Sequence, residues 1–293
     1  MTTELVARVR SFNRAVTQRV GALDEQFLGR GRPLGEARLL WEIGTDGAEV
    51  RQLRQRLGMD SGYASRLLRS LEAQGLVEVT KATGDRRVRR ALLTAAGLAE
   101  RAELDRLADG VAASILEPLD EARRSELVTA MADVERLLLA SAITIGVEDP
   151  AGEGARWCIR QYLAELAERF EHGFDPAQST QVEVEDLAPP AGLLLVARQV
   201  GRPVGCGGLR FDGDGRADVK RMWVAPEVRG VGLGRRLLRT LEQLAADAGV
   251  TVLRLETNAS LTEAIALYRA NGYAEVDAFN DERYAHHWFA KRL

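Results

Sequence analysis

Cysteine and histidine are scarce in this sequence. The 293 residues include 2 cysteines, Cys158 and Cys206, and 3 histidines. The cysteines lie far apart in the sequence and form no ligand cluster, and no third metal-binding residue accompanies the adjacent His286 and His287. We therefore expect no metal site. The low cysteine content also favours a reducing, cytoplasmic setting over a disulfide-stabilised one.

Long apolar runs and a strong charge imbalance are also missing. No segment reaches the ~18 consecutive apolar residues of a membrane-spanning helix, and the N-terminal Met-Thr-Thr-Glu lacks the layout of a signal peptide. We expect no membrane association. A net charge of −3 gives no overall sign of nucleic-acid binding. The length suggests roughly two domains, and the hydrophobic fraction of 46% is that of a globular protein.

A strand, a glycine-rich turn and a helix start follow one another directly over residues 218–241. The strand contains the β-favouring residues Val219, Met222, Trp223 and Val224. Ala225-Pro226 ends this strand, and leucines recur at helical spacing from Leu233 onward. The first N–H groups of a helix have no partner within the helix, so they bind anions that glycines allow to approach closely. Arg229, Arg235 and Arg236 add positive charge, so this stretch predicts a phosphate or pyrophosphate site.

The glycine spacing excludes the two commoner phosphate loops. A dinucleotide-binding G-x-G-x-x-G would need glycine where Arg235 stands, and no G-x-x-x-x-G-K-[ST] run occurs. The run Arg229-x-x-Gly232-x-Gly234 instead resembles the [QR]-x-x-G-x-[GA] signature of the GNAT N-acetyltransferases, which binds the pyrophosphate of acyl-CoA. A purely structural turn is the alternative. The preceding Val-Ala-Pro-Glu and the later segment 255–273 favour the binding interpretation.

The resemblance covers residues 155–293, where the pattern reads β-α-β-β-β-α-β-α-β-β. The first strand is predicted at residues 157–159 and the helix after it at residues 162–170. This order matches the GNAT fold, an α/β (α+β) domain whose mixed central sheet is splayed in the middle. The resemblance implies acetyl-CoA as the cofactor. It assigns cofactor binding to Met222, Trp223, Val224, Arg229, Gly230, Val231, Gly232, Leu233, Gly234, Arg235, Asn258 and Tyr268.

The same resemblance suggests roles in the transfer of an acetyl group to an amine. Backbone N–H groups around Trp223 and Val224, at a bulged strand, would stabilise the thioester oxygen. Tyr268, in Leu-Tyr-Arg-Ala-Asn-Gly-Tyr, matches the family tyrosine that gives a proton to the departing thiolate; packing in the core is its alternative role. Asn258 matches the asparagine that binds the pantetheine arm, or it caps a helix.

The general base and the acceptor site are less closely specified. Glu256, at a strand end, is the predicted base, with Asp218 or a chain of water molecules as alternatives. Tyr284 and His287, together with His286, are predicted to line the acceptor pocket. The acceptor is a small amine or an amino-acid-like molecule.

The first half of the chain contains short helices followed by a hairpin. One helix is predicted over residues 5–28, a second from Leu34 to a stop at Gly44, and a third that Gly58 ends. A fourth begins at an Asp60 or Ser61 cap. The segments 76–79 and 86–93, joined by Thr-Gly-Asp, then predict a β-hairpin. This order describes a winged helix-turn-helix, a mainly-α fold.

Local charge supports an interaction of this half with DNA. Residues 51–90 contain ten basic and four acidic residues, an excess of about +6 in a chain that is net acidic. The segment 53–93 resembles the MarR family of transcriptional regulators. By that resemblance the recognition helix presents Ser61, Tyr63, Ser65, Arg66 and Arg69 to the major groove. Asp85 and Arg87 match the wing-tip D-x-R, whose arginine enters the minor groove.

The complete chain is therefore predicted to be multidomain. Residues 1–145 form a MarR-like domain that binds a double-stranded DNA operator and forms a homodimer through apolar terminal helices, residues 146–154 form a linker, and residues 155–293 form the acetyltransferase. Two alternatives are a regulator whose second domain only senses acyl-CoA, and an enzyme whose winged domain only dimerises.

Overall fold

The computed structural model describes residues 2–24, 26–82, 85–171, 173–180 and 182–293, with the side chains of residue 82 and residues 85–87 outside this description. The chain forms two compact units, residues 1–129 and 130–293. The boundary between them falls within one helix. The elements of the first unit, with that helix, are α1 (Thr3–Arg19), α2 (Leu34–Ile43), β1 (Ala48–Glu49), α3 (Val50–Leu57), α4 (Ser61–Ala73), β2 (Val77–Ala82), β3 (Asp85–Leu93), α5 (Ala95–Leu116) and α6 (Glu121–Ser141).

Helices α3 and α4 form a helix-turn-helix because of the residues between them. Gly58 has a φ of 61° and ends α3 in the left-handed conformation. Asp60 then caps α4, where its side chain accepts a hydrogen bond of 2.9 Å from the Tyr63 N–H. Helix α4 buries Ala64, Leu67, Leu68 and Leu71, which lie on one face at helical spacing. The opposite face of α4 is left to solvent.

Strand β3 pairs antiparallel with β1 and with β2, so the three strands form a sheet in the order β1-β3-β2. The predicted hairpin and the four helices that precede it in the chain are confirmed. The first helix is shorter than predicted, since α1 ends at Arg19 and a 3-10 turn at Phe27–Gly29 follows separately. Gly21 has a φ of 66°, which interrupts a pattern that otherwise reads as continuous helix.

The second unit contains one seven-stranded mixed sheet. Its further elements are β4 (Ile143–Glu148), α7 (Glu153–Arg169), β5 (Gly192–Gln199), β6 (Arg202–Phe211), β7 (Arg216–Val224), α8 (Leu233–Asp247), β8 (Val252–Thr257), α9 (Thr262–Ala270), β9 (Ala274–Val276) and β10 (His287–Arg292). The strand order is β4-β5-β6-β7-β8-β10-β9. Neighbouring strands are antiparallel except β7 and β8, which are parallel.

The sheet splays between β7 and β8. These strands pair over Arg216–Asp218 and Val252–Arg254, and both continue beyond the paired segment. Strand β8 is paired with β10 along its full length. A gap therefore opens on the β7 side at the carboxyl ends of the two strands, as in the predicted fold.

Strand β6 is covered by α8 on one face and by α7 on the other. A Cβ at Gly205 or Gly207 would approach Leu237 or Leu241 of α8 to 3.4 and 3.1 Å, so glycine gives α8 room to pack. The side chain of Cys206, between these glycines, points to the opposite face, on which Sγ of Cys158 in α7 lies 3.5 Å from the Gly205 carbonyl oxygen. The two cysteines, far apart in sequence, meet in the core as free thiols.

The first strand of this unit and the linker are not where the sequence pattern placed them. Residues 157–159 lie in α7, which buries Ala155, Cys158 and Leu166 at helical spacing. The first strand is β4, which pairs with β5 along Ile143–Glu148, so residues 146–148 of the predicted linker are part of the sheet. Gly146 suggested a linker, yet β4 is an edge strand, where glycine is tolerated. From α7 onward the predicted order of elements is nevertheless correct.

Candidate functional site

The turn between β7 and α8 has the geometry of an anion site. Gly230 and Gly232 have φ values of 77° and 82°, and Gly232 is the N-cap of α8. The first bond within the helix runs from the Arg236 N–H to the Gly232 carbonyl at 3.0 Å. The N–H groups of Leu233, Gly234 and Arg235 precede that bond, so they have no partner within the helix and point out of its start.

Strand β7 contains the predicted bulge. Its register against β6 shifts between Cys206 and Gly208, and Arg221 there has a φ of 56°. Past the bulge, the Ala225 N–H donates to the Val204 carbonyl at 2.9 Å, while the Val224 carbonyl accepts from Nε of Arg229 at 2.9 Å. The N–H and C=O groups of one extended residue point to the same side. The Val224 N–H is therefore turned from β6 toward the gap beside β8.

A pocket of about 640 Å³ lies along this loop and the splayed strands. Its wall brings together most of the predicted cofactor residues, namely Met222, Trp223, Val224, Arg229, Gly230, Gly232, Leu233, Gly234, Arg235 and Tyr268. Val231 instead packs against the core. Asn258 lines a second, neighbouring cavity.

Glu165 of α7 joins this pocket without having been predicted from the sequence. Its carboxylate accepts hydrogen bonds from Arg229 at 2.5 Å, from the Trp223 indole at 2.8 Å and from Arg169 at 3.2 Å. Burial alone would raise the pKa of Glu165, but the donors from Arg229 and Trp223 outweigh it and hold the pKa below its ordinary value. Glu165 therefore fixes Arg229 and the end of β7. A glutamate inside an ordinary helix gives no sequence signal of such a contact.

Two of the three arginines near the loop are already engaged. Arg229 is bound by Glu165 and Val224, and Arg236 donates to the carbonyls of Ala140 and Ile143 at 3.1 and 2.7 Å. The expectation that Arg236 adds charge to the anion site is therefore wrong, since its guanidinium binds the end of α6. Arg235 is exposed and lines the pocket.

Tyr268 lies on the buried face of α9 at the wall of the larger pocket. It is 6% exposed and packs beside the rings of Tyr273 and Phe289. Burial, with smaller effects of Tyr162 and Glu256, raises the pKa of Tyr268 well above its ordinary value. The phenol is therefore a proton donor throughout the neutral range. Core packing and a proton-donor role are compatible at this position.

The second cavity is smaller, about 80 Å³, and shares Tyr162, Leu166 and Leu261 with the first. Glu256 of β8 lines it and forms a buried ion pair with Lys220 of β7. Oε1 of Glu256 contacts Lys220, and Oε2 is buried without a hydrogen-bond partner in the described part of the chain. A carboxylate oxygen so placed has capacity to accept a proton or a hydrogen bond from a ligand.

Asp218, the alternative base, has a different environment. Its carboxylate is 3% exposed and accepts from Arg210 at 2.9 Å and from Nε of Arg254 at 3.0 Å. It lies where β7 and β8 are still paired, below the splay. Both oxygens are engaged in ion pairs, so Asp218 stabilises the sheet and does not face either cavity wall described above.

We expect Asp218→Asn to lower the free energy of unfolding by about 3 kcal/mol, because it leaves two partly buried guanidinium groups without their counter-charge. The turnover of the folded fraction should stay near that of the wild type. Denaturant unfolding and steady-state kinetics on one preparation measure the two quantities. Normal stability with strongly reduced turnover would instead make Asp218 the base.

The remaining predicted site residues differ in whether they line the smaller cavity. Asn258 donates to the Tyr284 carbonyl at 2.7 Å and accepts from the Ser260 N–H at 2.9 Å, so it braces the turn before α9. Tyr284 lines the smaller cavity, where its hydroxyl accepts from the Asp175 N–H at 3.0 Å. His287 does not line it, because its ring is held by Glu275 at 2.6 Å on the neighbouring strand β9.

In the first unit, α4 presents the predicted recognition surface. Ser61, Tyr63, Arg66 and Arg69 are exposed and Ser65 is half-buried. The Arg66 guanidinium lies 5.8 Å from the centre of the Tyr63 ring. The side chains of Asp85 and Arg87, predicted for the wing tip, lie outside the described residues, as do residues 83 and 84.

Apolar residues are exposed along two helices. Helix α1 buries none of its residues, and Leu5, Val9, Phe12 and Val16 recur along it at helical spacing with 60%, 57%, 44% and 40% exposure. Helix α6 exposes further apolar side chains. Contiguous apolar surface of this kind is typical of protein–protein contacts.

Metal clusters and membrane spans are both absent from the part of the chain that the structure describes. The described residues contain no group of three or more metal-binding side chains. Among the helices they form, none has the length and apolar character needed to cross a bilayer.

Comparison with known proteins gives two family matches. The profile of the acetyltransferase (GNAT) family matches residues 159–273, and that of the MarR family matches residues 30–88. An IAA acetyltransferase from Azospirillum brasilense is 39% identical over 139 residues, which cover 47% of this chain and 88% of the relative. The uncharacterized N-acetyltransferase YjgM from Escherichia coli (strain K12) is 31% identical over 123 residues, 41% of this chain and 74% of the relative.

Among solved structures, the chain is similar to a GNAT family acetyltransferase from Elizabethkingia anophelis with acetyl-CoA bound. The identity is 20%, the match covers 52% of this chain and 99% of that chain, and the TM-score is 0.38.

Proposed function

Because the chain belongs to the GNAT acetyltransferase family and also contains a MarR family domain, we propose that it acetylates a small amine and regulates transcription as a DNA-binding homodimer. The protein is an acetyltransferase that uses acetyl-CoA. The nature of the acceptor, the DNA binding and the dimer are the proposed parts. The observation that carries the enzymatic proposal is the meeting of two cavities where β7 and β8 separate, one beside the glycine turn and one containing Glu256.

The larger pocket fits acetyl-CoA in its chemistry. Positive φ values at Gly230 and Gly232 leave the backbone open, and a Cβ at either glycine would meet no atom of the described chain within 4 Å. The amides at the start of α8 and the exposed Arg235 suit a pyrophosphate. The apolar wall of Val228, Leu261 and Leu267 suits the pantetheine arm.

Three groups of this chain would act on the reacting atoms. When bound, acetyl-CoA supplies the activated acetyl group as a thioester. The Val224 N–H faces the gap and would hold the thioester oxygen. Glu256 would take the proton that the attacking amine loses, directly or through water, and Tyr268 would return a proton to the departing thiolate. Glu256 lies at the wall of the smaller cavity and Tyr268 at the wall of the larger pocket. One would therefore act on the amine and the other on the sulfur.

We expect Glu256→Gln to lower kcat roughly 10- to 100-fold, because an amide cannot take the proton and water replaces the carboxylate only partly. Acetyl-CoA affinity should change little. Pre-steady-state thiol release, compared with that of Asp218→Asn, measures the effect. If both substitutions leave kcat unchanged, neither carboxylate is the base and a chain of water molecules performs that step.

Support for DNA binding comes from the exposed face of α4 and the local charge excess. Tyr63, Arg66 and Arg69 are exposed at the N-terminal part of the helix, where a recognition helix reads base edges. Among the described residues Arg66 contacts the Tyr63 ring and Arg69 donates to the Ser65 carbonyl at 3.2 Å, both within α4. Neither arginine forms an ion pair there, so both can contact phosphates or guanine.

We expect Arg87→Ala to weaken binding of an operator and to reduce the slope of log K against log salt by about 1, because one positive charge no longer displaces counterions from the DNA. Arg239→Ala, an exposed substitution in α8 of the second unit, serves as the control. Fluorescence anisotropy at several salt concentrations measures both. Unchanged affinity and slope for Arg87→Ala would mean that the wing does not contact DNA.

The homodimer is supported by α1 and α6, whose exposed apolar residues need a covering partner. A twofold dimer would place two recognition helices about one DNA turn apart, roughly 34–36 Å.

The alternative in which the second unit only senses acyl-CoA is tested by screening the purified chain for thiol release with acetyl-CoA and a panel of amines. Cofactor binding without turnover across the panel favours sensing over catalysis.

A further inference from the structure

The smaller cavity is lined by two cations, Lys220 and Arg221, and they differ in how many of their N–H donors have partners among the described residues. Its neighbour Lys220 is committed to the ion pair with Glu256. The Arg221 guanidinium lies 5.7 Å from the centre of the Tyr162 ring and makes one long contact of 3.4 Å to the Val182 carbonyl. A guanidinium has five N–H donors in a fixed fork. Among the described residues most of the donors of Arg221 therefore have no partner, so they can bind a ligand in this cavity.

The bulge in β7 is what directs Arg221 into the cavity. Successive side chains of a regular strand point to opposite faces, yet Lys220 and Arg221 line the same cavity. The left-handed φ of 56° at Arg221 and the shifted register account for this. The buried thiol of Cys206 donates to the Arg221 carbonyl at 3.1 Å and so stabilises the left-handed backbone conformation at this residue.

An uncommitted acid and an apolar wall accompany this cation. Oε2 of Glu256 is buried without a partner among the described residues. The other carboxylate of the cavity, Glu282, is satisfied, since it accepts from Ser179 at 2.8 Å, from the Thr180 N–H at 2.6 Å and from the Tyr284 N–H at 3.1 Å. The apolar part of the wall consists of Leu166, Phe170, Phe174, Val182 and Leu261.

We propose that the acceptor is a compact amino carboxylate with an apolar side chain, whose carboxylate binds Arg221 while its amine faces Glu256. This inference rests on the proposed acetyltransferase function. Arginine matches a carboxylate with two parallel hydrogen bonds. The apolar part of the cavity wall suits the side chain of such an amino acid.

The reaction balances with the groups present. The amine nitrogen forms a bond to the acetyl carbon, and the carbon–sulfur bond of the thioester breaks. The nitrogen gives up its proton toward Glu256, and the sulfur gains one from Tyr268. Proton exchange through solvent then returns Glu256 to the carboxylate and Tyr268 to the phenol before the next turnover. The products are an N-acetyl amino acid and the thiol of coenzyme A. The carboxylate on Arg221 takes no part in the bond changes, so Arg221 is a specificity residue.

Matched acceptors test the proposal on the full chain. Leucine and phenylalanine are compared with isoamylamine and phenylethylamine, which lack the carboxylate, in a thiol-release assay. The amino acids should have a kcat/KM at least tenfold higher. Arg221→Gln should lower their kcat/KM by roughly 10- to 100-fold, mainly through KM, and leave the carboxylate-free amines unaffected. Arg216→Gln, an exposed arginine on the same strand, should change neither.

Acetyl-CoA titration of each variant separates this inference from the proposed function. If the wild type does not bind acetyl-CoA, the proposed function fails. If it binds acetyl-CoA and acetylates both classes of acceptor equally, or if Arg221→Gln lowers both equally, only the carboxylate inference is overturned. Where no acceptor turns over, calorimetry of leucine with the complex of protein and coenzyme A decides: binding lost in Arg221→Gln supports the assignment, and no binding overturns it.

Discussion

Gly232→Glu should abolish measurable acetyl-CoA binding, with a dissociation constant raised at least ~100-fold. Gly232 is the N-cap of α8 with a φ of 82°, it lines the larger pocket, and a Cβ added there would meet no atom of the described chain within 4 Å. A glutamate there puts bulk and negative charge where a pyrophosphate must lie. Repulsion between like charges in a partly desolvated site costs several kcal/mol, enough for an effect of this size.

Gly249→Glu is the matched control for this substitution. Gly249 follows the other end of α8 with a φ of 81° and likewise has no atom of the described chain within 4 Å of an added Cβ. The backbone strain is therefore comparable, while the glycine turn is untouched. Calorimetric titration should show normal affinity in Gly249→Glu. Equal losses of affinity in both variants would mean that backbone strain, not the glycine turn, causes the effect. Normal affinity in Gly232→Glu would contradict the assignment of the site.

Tyr268→Phe should lower kcat by roughly 10- to 1,000-fold, on the scale of a lost general acid. Affinity for acetyl-CoA should change little, since the ring remains at the wall of the larger pocket. Because burial raises the pKa of Tyr268, its phenol stays protonated up to and beyond pH ~10, the ordinary pKa of tyrosine. The wild type should therefore show no loss of activity from ionisation of this group across the neutral and mildly alkaline range.

Tyr273→Phe provides the comparison for Tyr268→Phe. Tyr273 is also buried, at 3% exposure, and its ring lies 5.9 Å from that of Tyr268, but it lines neither cavity described above. It should retain turnover close to that of the wild type. Stopped-flow measurement of thiol release distinguishes the two variants. Wild-type turnover in Tyr268→Phe would move the proton donor to another group.

The parts of the site that the sequence predicted correctly depend on local chemistry. The glycine turn is specified by residues within one short stretch, because positive φ and free helix N–H groups are local properties. The same holds for the cap at Asp60 and the stop at Gly58 in the first unit. From α7 onward the order of helices and strands in the second unit also followed from the pattern of apolar residues.

The parts that sequence reasoning missed depend on which distant residues meet. Glu165 and Arg221 look ordinary in sequence, and only the fold brings one to Arg229 and the other into the smaller cavity. Arg236 and His287 were predicted to lie at the site, yet the Arg236 guanidinium binds carbonyls at the end of α6 and the start of β4, and the His287 ring is held by Glu275. Residues 157–159 form an apolar run too short for its period to separate strand from helix.

The most direct test of the central assignment is a crystal structure of the full chain with coenzyme A bound. We expect the pyrophosphate oxygens within hydrogen-bond distance of the main-chain N–H groups between Gly230 and Arg235, and the thiol beside Tyr268. Coenzyme A bound elsewhere on the protein, with these amides left to water at saturating ligand, would contradict the account.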